Sequence, residues 1–265
     1  MRRAIRFAAA MVTVTSLAAG QSPPTPPAPA KPDAPRPDEK PAPPAPIVDT
    51  PGDATKLVAA QQKGLTDKEP RTRADAIAPF LLHRNELYVK TLAPFLKDAN
   101  EDVAKAAARA LGNQPFPKAS EALLDFASNK KLTAVAPGAA AEALLALQGT
   151  GLGKKGYERL RALFDDADPQ SKTAIFRVLA ALKEKKAFSF FVDYTDEPHG
   201  DTSSANNPPA SYWKARFTEW NDYKQYVRRG LKELSGQSLA TAAQWIEWAK
   251  TPEAKKAGLV YERGS

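Results

Sequence analysis

Ala-Leu dipeptides at Ala110-Leu111, Ala146-Leu147 and Ala181-Leu182 recur every 35 or 36 residues, and each closes an amphipathic helical stretch. A period of this length holds one helical hairpin. A single hairpin cannot hide its own apolar stripe, so successive units must stack on one another. The spacing therefore predicts an all-α array. Such arrays present surfaces to other macromolecules more often than they enclose a reaction centre.

Hydrophobic period and helix punctuation place the helices. The first two are expected over 53–64 and 70–82. Paired helices follow over 86–96 with 101–111, 118–128 with 139–147, and 154–164 with 170–182. The repeats thus occupy residues 53–194. A stretch of Asp, Ser, Asn, Gly and Pro over 195–209 reads as an inserted polar loop, and residues 210–265 read as a C-terminal helical cap. Within that cap, a long helix over 211–234 carries Trp213, Phe217, Trp220, Val227, Leu231 and Leu234 on one apolar face. Gly236 stands where a C-cap glycine belongs. A last helix over 240–250 shows Trp245 and Trp248 on one side, and Pro252 is expected to stop it.

The segment before the array has a different character. Arg2, Arg3 and Arg6 precede an apolar run from Phe7 to Leu17, and Ala18-Ala19-Gly20 offers small residues for cleavage. Residues 1–20 therefore read as a secretory signal, which implies a periplasmic or extracellular location. Residues 21–52 read as a linker, with 13 prolines between Pro23 and Pro51. This composition favours solvated polyproline II, and at ~3.1 Å per residue it would span about 90 Å. The chain contains no cysteine, which excludes disulfides, thiolate catalysis and thiolate-bound zinc. Without the three arginines of the expected signal the formal charge of +8 falls to +5, and that excess sits late in the sequence, where residues 210–265 hold ten basic and six acidic side chains. Both a solvated helix face and a surface for an anionic polymer fit that local excess.

The turns between paired helices add a second pattern. Asp67-Lys-Glu-Pro-Arg-Thr-Arg73, Asp98-Ala-Asn-Glu-Asp-Val-Ala104 and Asp166-Ala-Asp-Pro-Gln-Ser-Lys172 each set an Asp six residues ahead of a helical position. These segments resemble HEAT repeats over residues 53–194. The resemblance implies an α-solenoid of stacked antiparallel helix pairs, in which the basic residue of one turn meets the acid of a neighbouring repeat. Arg73 keeps that basic residue, Lys172 offers a weaker one, Ala104 loses it, and the turn over 129–137 has no acid. The closing stretch Leu234-Ser-Gly-Gln-Ser-Leu239, followed by Trp245-Ile-Glu-Trp248, resembles the tail of exported bacterial HEAT-repeat proteins.

Candidate chemistry is sparse. His83 and His199 are the two imidazoles. Neither is followed by Glu, so the His-Glu pairs of iron-dependent HEAT-repeat hydroxylases are missing. His83 is expected in a surface or capping role. Asp193, Asp196, Glu197, His199 and Asp201 form a polar cluster that reads as a solvated acidic loop, with a divalent cation as the sharper alternative. No phosphate loop, nucleophile elbow or dinucleotide motif is present. No catalytic residue, cofactor or metal is assigned.

The expected function is a non-enzymatic protein-binding or scaffold module. Lys105, Arg109 and Lys172 are the candidates on the concave surface of the second helices. Tyr212, Arg216, Tyr223, Tyr226, Arg228 and Arg229 are the candidates on the long C-terminal helix, where they fall largely off its apolar face. Binding of an anionic glycan or nucleic acid by that basic aromatic end is an alternative. A role as an accessory subunit of an exported enzyme is another.

Overall fold

A computed structural model describes residues 45–153, 155–199 and 207–263. The expected signal, the linker up to residue 44, and Asp201 lie outside the described residues. Of the described residues 73% are helical and 2% are in strands. None of their helices is long and apolar enough to cross a membrane.

The order begins with a two-residue strand, β1 (Ile47–Val48), and helices α1 (Pro51–Leu65) and α2 (Pro70–Ile77). Strand β2 (His83–Arg84), α3 (Glu86–Leu92), α4 (Glu101–Gly112) and α5 (Pro117–Ala127) follow. Next come α6 (Lys130–Val135), α7 (Pro137–Thr150), α8 (Gly156–Phe164), α9 (Pro169–Ala181) and α10 (Phe188–Asp193). The chain closes with α11 (Ala210–Ser235), α12 (Ala242–Ala249) and α13 (Pro252–Ala257).

Short polar caps and prolines set the helix starts. Asn85, Asn100, Asn129 and Asp168 accept hydrogen bonds from the first free amides of α3, α4, α6 and α9. Proline opens α1, α2, α5, α7, α9 and α13, where a missing N–H costs nothing. Pro252 thus begins a helix, with Thr251 as its cap, instead of merely ending the one before it. Helices α2 and α3 run into 3-10 turns at two copies of Ala-Pro-Phe-Leu, Ala78–Leu81 and within Ala93–Lys97. Each proline removes an i→i−4 donor and tightens the last turn. Gly236 adopts φ +73° at the end of α11, as a C-cap glycine should.

Helices α2, α4, α7, α9 and α11 are successive neighbours along one side. On the other side α1 meets α3, and α5 touches both the 3-10 turn after α3 and α8. A continuous apolar core runs between the two sides. The approach of α4 to α7 is set by small residues, because a Cβ on Gly149 would lie 2.0 Å from the Gly112 carbonyl oxygen. Further along, Phe164, Phe176 and Phe190 form an aromatic knot joining α8, α9 and α10, with centroids 4.8 to 5.1 Å apart.

Ion pairs tie successive turns together. Arg73 donates from Nε and Nη2 to the two carboxylate oxygens of Asp98 at 2.8 and 2.7 Å, and from Nη1 to the Asp67 and Lys68 carbonyls. Lys130 reaches Asp166 at 2.7 Å, and Lys172 reaches Glu219 on α11 at 3.1 Å. Ala104 has no charge to offer, so the series is interrupted there.

Residues 45–50, expected within the linker, are built into the fold. β1 pairs in parallel with β2, and the Ile47 amide donates to the Leu82 carbonyl at 2.8 Å. The nearly buried Asp49 carboxylate accepts from Tyr88 and faces His83 Nδ1 at 2.9 Å. His83 therefore fixes the entry of the chain, a role beyond a surface or helix cap. Burial, then the bond to Asp49, pushes the Tyr88 hydroxyl well above the usual phenol range. Fully buried Gln114 donates to the His83 carbonyl and accepts from the Asn85 amide, clamping this entry to the end of α4.

Two outcomes test this packing. Gly149→Ala should destabilise the protein by about 1–3 kcal/mol in a denaturant titration, because the added methyl meets backbone and not a movable side chain. Burial alone would raise the Asp98 carboxyl, but the Arg73 and Asn100 hydrogen bonds hold it below its ordinary value. That contribution is present above the unfolded carboxylate pKa of about 3.9 and is lost as pH falls through the lower folded value. Asp98→Asn should therefore be less stable than the parent at pH 7, and the gap should narrow below about pH 4.

Candidate partner-binding groove

The helices of the α4–α11 side bury their apolar stripes inward and leave a polar stripe outward. On α9 the residues Ser171, Ala174, Ile175, Val178 and Leu179 are buried, while Gln170, Thr173 and Arg177 face away from the core. Arg177 interrupts the run from Ala174 to Ala181, and a charge placed there must point to solvent. Helix α11 turns Asn221, Asp222, Gln225 and Tyr226 to the same side, and α7 contributes Ala141 and Leu145.

These stripes enclose a cavity of about 540 Å³ between α7, α9 and α11. A second cavity of about 360 Å³ lies between α4, α7 and α9, and includes Arg109, Gly112, Asn113 and Glu142. Leu145 and Arg177 line both, so the two form one groove. Its floor is of small apolar side chains, and its rim is rich in carboxamides that can both donate and accept.

The groove charges differ in how far they are satisfied. Arg109 is held by Glu142, with Nε 2.9 Å from Oε1. Neither Arg177 nor Asp222 has a hydrogen-bond or ion-pair partner among the described residues. A guanidinium beside an apolar floor can bind a carboxylate or phosphate by two parallel bonds.

The residues expected at a partner surface are distributed over several places. Arg109 and Tyr226 line the groove. Lys105 pairs with Glu101 on its own helix at 3.5 Å. Lys172 is largely buried, bound to Glu219 and lying over the Phe164 ring at 5.7 Å. Arg228 and Arg229 are exposed on α11. Tyr212, Arg216 and Tyr223 line a separate cavity against residues 193–199 at the end of α10.

Tyr223 requires a correction. It was expected off the apolar face, yet it is 6% exposed and its ring lies 4.8 Å from that of Phe176. The first turns of α11 extend beyond the core and leave Phe217 exposed, so the buried seam starts at Trp220 and runs through Tyr223, Val227 and Leu231. Burial raises the Tyr223 hydroxyl above its usual range.

The acidic loop does not assemble a cation site among the described residues. Asp193 accepts from the Tyr261 hydroxyl at 2.8 Å, and Asp196 caps α12 by accepting from the Ala242 amide at 2.9 Å. Arg177, Asp222 and the groove amides escaped sequence reasoning. A lone charge interrupting the apolar run from Ala174 to Ala181 was the signal that could have found Arg177.

Comparison with models of known families, with characterised proteins and with solved structures finds no match.

The assignment of core and surface has a direct check. Tyr223→Ala should cost about 3–5 kcal/mol, the usual range for truncating a large buried aromatic residue. Arg177→Ala should change stability by less than about 0.5 kcal/mol in the same denaturant titration.

Proposed function

We propose that the chain is an exported, HEAT-like α-solenoid that acts as a non-enzymatic protein-binding scaffold of the cell envelope. The unpaired Arg177 at the centre of the α4–α11 groove carries this proposal. Most helix-spanning cations nearby are matched by an acid of the protein itself, as in Arg73 with Asp98, Arg109 with Glu142 and Lys172 with Glu219. A cation left unmatched on the row of second helices is suited to a partner's acid.

The solenoid assignment is supported by the neighbour order of α2, α4, α7, α9 and α11, and by the Arg73–Asp98 pair between successive turns. Trp245 and Trp248 pack on Phe188 with centroids 6.3 and 6.0 Å away, which suits helices that seal the last apolar face. Arg2, Arg3 and Arg6 ahead of an apolar run support export, and the proline-rich segment supplies a tether. An accessory subunit of an exported enzyme would use the same groove.

Affinity capture from the organism's own extracytoplasmic extract tests the proposal. The parent protein should retain a saturable protein partner at low and high salt, and Arg177→Glu should lose it. Recovery of salt-labile polyanions alone, unchanged by Arg177→Glu, would move the function to the basic face of α11.

A further inference from the structure

The cavity between the N-terminal half of α11 and residues 193–199 at the end of α10 has a volume of about 440 Å³, the size of a small-molecule site. Tyr194, Trp220 and Tyr223 form its floor, and Tyr212 and Trp213 form its wall. Trp220 and Tyr223 are buried, and the Trp220 indole N–H donates to the Tyr194 carbonyl, so the floor is fixed. Tyr212 and Trp213 meet edge to face at 5.1 Å, and the Trp213 indole N–H is held by Asn207.

Acids dominate the rim. Asp193, Asp196, Glu197 and Glu219 line the cavity, against Arg216 and the imidazole of His199. Asp193, Asp196 and Glu219 are held by Tyr261, the Ala242 amide and Lys172, whereas the Glu197 carboxylate has no partner among the described residues. This sign is the reverse of what the basic composition of the C-terminal segment suggests. It opposes the phosphates or sulfates of a polyanion at Tyr212 and Arg216.

The rings of this region also hold cations already. The cation–π contacts found among the described residues are Arg161 over Phe190, Lys172 over Phe164, Arg216 over Tyr212 and Lys224 over Trp220. All four belong to the aromatic knot or to this cavity. Trp213 has no such cation among the described residues, although indole offers the strongest aromatic face for one.

We propose that this cavity binds a small organic cation of the alkylammonium class, held against the Trp213 and Tyr212 rings and balanced by the Glu197 carboxylate. Cation–π attraction supplies ring selectivity, and the carboxylate favours charge over a neutral ligand of equal shape. Arg216 opposes the ligand across the same cavity, so its removal strengthens binding. An anionic ligand would respond in the opposite direction.

The test is a titration of the full chain with choline and with its uncharged isostere 3,3-dimethylbutan-1-ol, read by tryptophan fluorescence and by saturation transfer to the ligand methyl protons. Choline should bind saturably and the isostere at least several-fold more weakly. Trp213→Ala should weaken choline by roughly 3- to 30-fold. Glu197→Gln should weaken it several-fold, and Arg216→Gln should tighten it. Trp213 is only half-buried, and unchanged circular dichroism would show that each variant is folded. Equal binding of the isostere, no saturable choline signal, or weakening by Arg216→Gln would overturn the proposal.

Discussion

Helices α4, α7 and α9 carry buried residues on more than one face, and only a neighbour on each side can remove those faces from water. In α4 the residues Val103, Ala104, Ala107, Ala108, Ala110 and Leu111 are all buried, which leaves a narrow outward strip. Hydrophobic burial rewards continuation of the row, and alanine and glycine at the contacts let the axes come close. The groove is a by-product of this constraint. Once the inward faces are taken, the remaining stripes of α4, α7, α9 and α11 lie side by side, with Arg109, Arg177 and Tyr226 along them.

The ion pairs decorate this packing and add register to it. The Arg73–Asp98 pair is bidentate and mostly shielded, with side chains 16% and 10% exposed. Its geometry fixes how one turn sits on the next. Lys118–Glu86, Lys130–Asp166 and Lys186–Glu158 are well exposed, and pairs of that kind contribute little to stability. Asp49, His83, Tyr88 and Gln114 join β1, β2, α3 and the end of α4 at the first helices, as the aromatic knot joins α8, α9 and α10 further along.

Most of the helices were legible from the sequence, because an apolar stripe coincides with an Asn cap in α4, with a first-turn proline in α5, and with both an Asp cap and a proline in α9. The elements that escaped lack one of these signals. Helix α6 buries no side chain, so it has no apolar period to read. Helix α10 is the opposite case, with Phe188, Phe190, Phe191 and Val192 all buried and no polar face to reveal a period. β1 and β2 consist of two residues each, and their pairing is decided by Asp49 contacts 34 to 39 residues away. The Arg73–Asp98 contact was legible through the resemblance of the turns to HEAT repeats. The burial of Tyr223 was not, because the point at which α11 leaves the core depends on α9 and α10 and not on α11 alone.

The two candidate surfaces differ in chemistry and so in use. The groove is open, amide-rich and centred on a guanidinium with no partner among the described residues, while the α11 cavity is aromatic and rimmed by acids. A scaffold that also senses a small cation would need both, and they lie on different sides of α11. The most direct test of the scaffold account is site-specific photo-crosslinking in the organism's exported fraction. A crosslinker at Arg177 should yield one saturable protein adduct, and one at exposed Lys214 should not. No adduct from position 177, or the same adducts from both positions, would contradict a partner seated on the row of second helices.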